Sequence, residues 1–184
     1  MKVVRSGSSD APADEIAISS EYEVVRHGWF GDRWVEVLDH TKSAVVMERA
    51  QNGLALLREH TPDGLIGRVE NIRIDSDKVL RGTIKWSRND AGQNAKRDFE
   101  DGILPDVSVG YRIHEYALER ADKENNTEYY RVTKWEPLEA SLVAIPADPT
   151  VGKGRAVDDG ATPQTITPPV VKQEVRMAEV KEAP

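Results

Sequence analysis

The chain has 184 residues, 39% of them apolar and 31% charged, with a formal net charge of −7 and a pI of about 5.2. That length suits one soluble domain plus a tail, and the acidic balance lacks the electrostatic footprint of a nucleic-acid binder. With no cysteine, disulfides, thiolate metal sites and cysteine nucleophiles are excluded, which fits a reducing cytoplasm, and no apolar run is long enough to cross a bilayer.

Residues 1–18 are rich in Ser, Asp, Ala and Pro without periodicity and read as a mobile arm with no signal-peptide core. Residues 22–30 and 33–38 carry Tyr22, Val24, Val25, Trp29, Phe30, Trp34, Val35 and Val37. This β-branched and aromatic content predicts two strands, with Gly31-Asp32 at hairpin-turn length between them. Thr41 is placed to cap a short helix over 41–51, stopped by Asn52-Gly53. Residues 54–60 read as a strand ending at His60, and Thr61-Pro62-Asp63-Gly64 has the composition of a type I turn. Strands follow over 66–74 and 79–86, joined by Asp75-Ser76-Asp77.

Asn89-Asp90 opens a second helix. Asp90 with Gln93 resembles a capping box, Ala91, Ala95 and Phe99 share one face, and Gly102 and Pro105 end it. In 104–111, Val107, Val109 and Tyr111 alternate with Ser108 and Gly110. The period of two predicts a half-buried strand running to Tyr116, with a small hydroxyl beside a glycine on its polar face. Residues 119–126 read as a charged loop, and 128–135 and 138–145 as the last strands. Six of the ten prolines fall from Pro146 onward, so the reading is an arm over 1–18, a domain over 19–149 and a flexible tail over 150–184. Many short strands with two short helices predict a mainly β fold with short helices (α+β), an antiparallel sheet or barrel with helices packed against it.

A serine nucleophile needs a base within hydrogen-bond reach and a group that orients the base. Ser108 is the candidate nucleophile. Of the four histidines, His27 and His40 sit where surface residues are common. His114 is six residues along the same strand, roughly 20 Å away. His60 closes an apolar strand just before a turn, where functional side chains are often displayed. Glu139 is the leading orienting acid, because it interrupts the apolar run 138–143 and a carboxylate there is either edge-exposed or partnered. Glu136 and Asp106 are the alternatives. The histidines form no HExxH pattern or tight His/Asp cluster, so neither a metal nor another cofactor is expected.

Three stretches in order, Leu56-Leu57-Arg58-Glu59-His60 with Ile66-Gly67, residues 102–111 around Ser108, and residues 135–149 around Glu139, resemble the histidine, serine-strand and closing-strand motifs of the prohead maturation proteases of tailed bacteriophages. The resemblance covers about residues 20–150. It implies a fold related to the herpesvirus assembly proteases, with an antiparallel barrel-like core. It implies Ser108 as nucleophile, His60 as general base and Glu139 as a carboxylate third member where the herpesvirus relatives use a second histidine. Oxyanion donors stay open among the Gly110 amide, other amides, Arg68 and Arg112. The implied activity is an endopeptidase that cuts scaffold, major capsid protein and itself. It would act inside the assembling procapsid in the bacterial cytoplasm, with self-association but without nucleic acid or membrane. The competing reading is a non-enzymatic virion or scaffold component on the same β-rich fold. The opening segment 22–49 has fewer glycines than the family usually shows there.

Overall fold

The computed structural model describes residues 14–28 and 33–154. The order is β1 (Glu15–Ser19), β2 (Val24–His27), β3 (Arg33–Leu38), a 3-10 turn (Ala50–Asn52), β4 (Leu54–Arg58), β5 (Thr61–Ile74), β6 (Leu80–Trp86), α1 (Asp90–Glu100), β7 (Asp106–Asp122), β8 (Thr127–Val143) and β9 (Gly152–Lys153). The protein is mostly β with few helices, as expected. The sheet is mixed, however, rather than antiparallel: β8 pairs in parallel with both β3 and β4. The strands run β2-β3-β8-β4-β5-β6-β1-β9, with β7 on β8 beside this path. Strand pairing among the described residues leaves the sheet open, although Lys153 N–H donates to Pro105 O (2.9 Å) just ahead of β7.

β8 organises the domain. Its first half, Glu128 to Val132, pairs with β3, and Glu139 to Leu142 pairs with β4. The gap between is filled by the stretch expected to be a helix over 41–51. That stretch is extended at Val45, which bridges to Trp135, with Val46 N–H on Trp135 O (2.8 Å) and Trp135 N–H on Ala44 O (2.9 Å). The physical reason is that unpaired main-chain groups of a buried strand must find partners, and Val45 and Val46 are β-branched residues with modest helix propensity. Trp135 is fully buried and donates its indole N–H to Asp39 O (2.8 Å).

The two strands expected over 128–135 and 138–145 are one. Pro137 is tolerated within it because it pairs with Tyr111 where the register shifts between Gly110 and Tyr111. β7 likewise runs past Tyr116 to Asp122, so most of the expected loop at 119–126 belongs to the β7–β8 hairpin. Further irregularities fall at Ile113/Glu115, Glu115/Tyr116 and Leu118/Arg120, whereas Asp106 to Gly110 pairs one to one with Val143 to Glu139.

The β2–β3 hairpin forms as expected, Val24 opposite Glu36 and His27 opposite Arg33, while its turn at Gly31-Asp32 lies outside the described residues. Helix α1 begins one residue earlier than the capping box suggested. Asn89 is the cap, accepting from Gly92 N–H (2.8 Å), and Gln93 Nε2 donates to Ser87 O. Gly92, Ala95 and Phe99 are its buried face and Ala91 is exposed. Phe99 packs against Trp86 with the rings tilted and their centroids 5.4 Å apart. Burying such a side chain contributes roughly 1.5–3 kcal/mol. Gly102 takes the expected left-handed φ of 71° after the helix.

The last residues assigned to the arm form β1, whose Ile16 and Ile18 are buried core; residues 1–13 lie outside the description. At the other end β9 pairs with β1 and Val151 is fully buried, so residues 150–153 of the expected tail pack on the domain. Residues 155–184 lie outside the description. No described helix is long and apolar enough to cross a membrane.

His40 is buried against Trp135, ring centroids 5.2 Å apart, and its Nδ1–H donates to Leu38 O at 2.9 Å. Its Nε2 is buried with no hydrogen-bond partner. Burial, outweighing that bond and the nearby Glu21, Asp148 and Asp39, pushes its pKa below the ordinary value of 6.5. The unfolded chain therefore binds a proton that the folded chain refuses, and stability falls as pH drops below about 6.5, towards the folded pKa. Melting temperature measured against pH should show this acid limb, and His40→Gln should flatten it. An unchanged limb in that variant would remove His40 as its source.

Candidate active site

The site is built where β4 ends. The sequence suggested a turn at Thr61-Pro62-Asp63-Gly64. The chain instead reverses one step earlier, at Glu59 and His60, both left-handed with φ of 52° and 55°. Arg58 then pairs with Thr61 and Leu57 with Leu65, so Pro62, Asp63 and Gly64 are extra residues accommodated in a bulge at the start of β5. Positive φ at both central residues is the geometry of a type I′ hairpin turn, usually supplied by Asn and Gly. Here a Glu and a His adopt it, each at a cost of order 1–3 kcal/mol that surrounding contacts must offset. Those contacts come from β8 and the residue that follows it: Glu59 N–H donates to Leu142 O (3.0 Å), Glu59 Oε1 accepts from Ala144 N–H (2.8 Å), and His60 N–H donates to the Ser141 hydroxyl (3.1 Å).

The turn projects the His60 ring towards Glu139. Nδ1 lies 2.7 Å from Glu139 Oε1, with His60 44% exposed at its side chain and Glu139 only 16%. An ionised carboxylate only accepts, so this contact fixes the tautomer with hydrogen on Nδ1 and leaves Nε2 as the base nitrogen. Glu139 Oε2 accepts from Ser141 Oγ at 2.7 Å.

Ser108 and Gly110 stand opposite Ser141 and Glu139 across the regular part of the β7–β8 ladder. Paired residues share a face, so Ser108 belongs to the side that bears the Glu139 carboxylate. The glycine is required here, because a Cβ on Gly110 would run into Glu139 Oε1. Thus the glycine beside the serine makes room for a carboxylate. Ser108 is half-buried and lines, with His60, a cavity of about 350 Å3. Among the described residues no hydrogen bond joins the two, which is common before substrate aligns such groups.

Ile18, Val24, Leu38, Val109, Ile145 and Val151 supply apolar wall to this cavity. Its polar wall includes a chain the sequence did not signal. Arg26 donates to the Tyr111 hydroxyl (2.5 Å) and through Nε to Glu36 (3.1 Å), and Tyr111 donates to Glu36. Burial, and then the bond to Glu36, push the Tyr111 phenol well above its usual pKa. The alternating pattern of β7 put Val109 and Tyr111 on the opposite face from Ser108, yet all three line the cavity.

The remaining candidates lie elsewhere. Glu136 gathers Arg49 (3.1 Å), Arg112 (3.5 Å) and His114 (3.8 Å). Arg68 is held on the carbonyls of Asn52 and Gly53. Asp106 opens β7 opposite Val143. None of these side chains lines the cavity.

Ser108 and His60 line one cavity, and His60 in turn contacts the Glu139 carboxylate outside its lining; these are the residue types that serine-hydrolase chemistry uses. Residues 31–155 match the caudovirus prohead serine proteases, and the chain belongs to that family. It is also similar to the major capsid protein of Halomonas phage phiHAP-1, 41% identical over 155 residues, which are 83% of this chain and 24% of that protein. The chain therefore spans about a quarter of that relative's length. No solved structure matches it.

Proposed function

We propose that this domain is a serine endopeptidase of phage prohead maturation, with Ser108 as nucleophile, His60 as general base and Glu139 as the acid that orients it. The observation that carries the reading is the 2.7 Å contact of His60 Nδ1 with Glu139, at a cavity that Ser108 also lines. Ser108 Oγ attacks the scissile carbonyl carbon while its proton passes to His60 Nε2. The C–N bond then breaks as His60 gives that proton to the leaving amine. Water, deprotonated by the same nitrogen, hydrolyses the ester and restores Ser108. Glu139 stays ionised throughout and stabilises the imidazolium. The substrates on this reading are scaffold or capsid-protein segments, with self-cleavage and self-association, inside the assembling procapsid in the host. The similarity to a quarter of a major capsid protein supports a protease made together with its capsid partner. A barrel-like core related to that of the herpesvirus assembly proteases is supported by the Lys153–Pro105 main-chain hydrogen bond, which brings β9 to the start of β7.

That relative's name also favours a second reading, a non-catalytic segment of a capsid protein. Intact-mass measurement after treatment with a fluorophosphonate separates the two. The protease reading expects one adduct, mapped by peptide analysis to Ser108. Folded protein that takes up no reagent would favour the capsid segment.

A further inference from the structure

We propose that Ser141 is a positioning residue of this site, a part that rests on the protease reading of Ser108, His60 and Glu139. Ser141 is fully buried on β8. It neither lines the cavity nor reaches a substrate, so whatever it does passes through its neighbours. Its hydroxyl accepts from His60 N–H (3.1 Å) and donates to Glu139 Oε2 (2.7 Å), while Glu139 Oε1 holds His60 Nδ1 (2.7 Å). Only one set of directions satisfies this ring. The main-chain N–H and the imidazole N–H must donate and the carboxylate must accept, so the serine proton points at Glu139.

The ring has two consequences. Ser141 fixes the second carboxylate oxygen, so that Glu139 cannot rotate away from the imidazole. It also supplies the partner for the main-chain N–H of a residue held at φ 55°, where relaxation of the backbone would swing the whole His60 ring. One hydroxyl thereby sets both ends of the His60–Glu139 pair, and it does so from the position directly opposite Ser108 in the ladder. The hydroxyl thus links the turn after β4 to a carboxylate two residues away on its own strand, β8.

The test measures labelling of the full chain by a fluorophosphonate, together with the downfield imidazole N–H resonance of the His60–Glu139 bond. Ser141→Ala should keep the fold, label about a hundredfold more slowly, as for a reacting group displaced by about 1 Å, and lose the resonance. A folded Ser141→Ala protein that labels at the parent rate and keeps the resonance overturns the inference. Where the alanine variant does not fold, Ser141→Cys decides. Its thiol keeps the size but donates weakly, so slower labelling is expected, and labelling at the parent rate is the contrary result. Failure of the nucleophile assignment reads differently, as unchanged labelling of Ser108→Ala; the resonance then decides the part of Ser141 by itself.

Discussion

Ser108→Ala should abolish processing of scaffold and capsid protein while leaving a folded domain. The substitution removes one oxygen from a half-buried strand position whose hydroxyl is not hydrogen-bonded to His60 or Glu139. The β7–β8 ladder is main-chain and does not depend on it. Loss of a nucleophile typically lowers the rate by several orders of magnitude, to the level that binding and electrostatics alone provide. Co-expression with the capsid genes, read by gel and intact mass, should show full-length substrates only and a melting temperature within a few degrees of the parent. Normal cleavage by the folded variant would end the serine-protease reading and leave the capsid-segment one.

His60→Ala should be nearly as severe, and it should stand apart from the other three histidines. His27 closes β2, and His114 faces Glu136 at 3.8 Å on the outer part of β7. His40 is buried on Leu38 O and Trp135. Each of those three replacements should keep most of the cleavage rate, His40→Ala with a lower melting temperature because it opens a space beside Trp135. His60→Ala leaves Ser108 without a proton acceptor, and members of such a set fail together rather than in proportion. The measurement is cleavage of co-expressed capsid protein by the four single variants, compared below their melting temperatures. A dead His114→Ala with an active His60→Ala would mean that the β4 turn does not serve the reaction.

The three candidate residues stood out in the sequence because each breaks a local pattern. Ser108 stands beside a glycine in an alternating strand, His60 ends an apolar one, and Glu139 interrupts another. Their neighbourhood was less legible, since it depends on pairings distant in sequence. Pro62-Asp63-Gly64 is the best turn composition in that region, yet the chain turns at Glu59-His60, held there by three bonds to residues 141–144 that no local preference encodes. Residues 41–51 carry helix start and stop signals, yet β8 required an edge partner at Trp135. Parallel pairing of β8 with β3 and β4 leaves no local trace, because period-two alternation is the same in either direction. Ser141 was visible as a polar residue in an apolar strand two positions from Glu139. That spacing puts both on one face and was the available clue.

The irregular pairing of β7 with β8 divides that long hairpin into two parts that answer to different tolerances. From Asp106 to Gly110 the ladder is regular, and a slip of one position would turn Ser108 to the opposite face of the sheet. Beyond Gly110, four breaks in register have already absorbed mismatches between the two strands. Insertions or deletions near residues 123–126 are dissipated there before they reach the cleft. The distal arm is thus the place where this scaffold can lengthen, drift or acquire a new contact surface without retuning its chemistry.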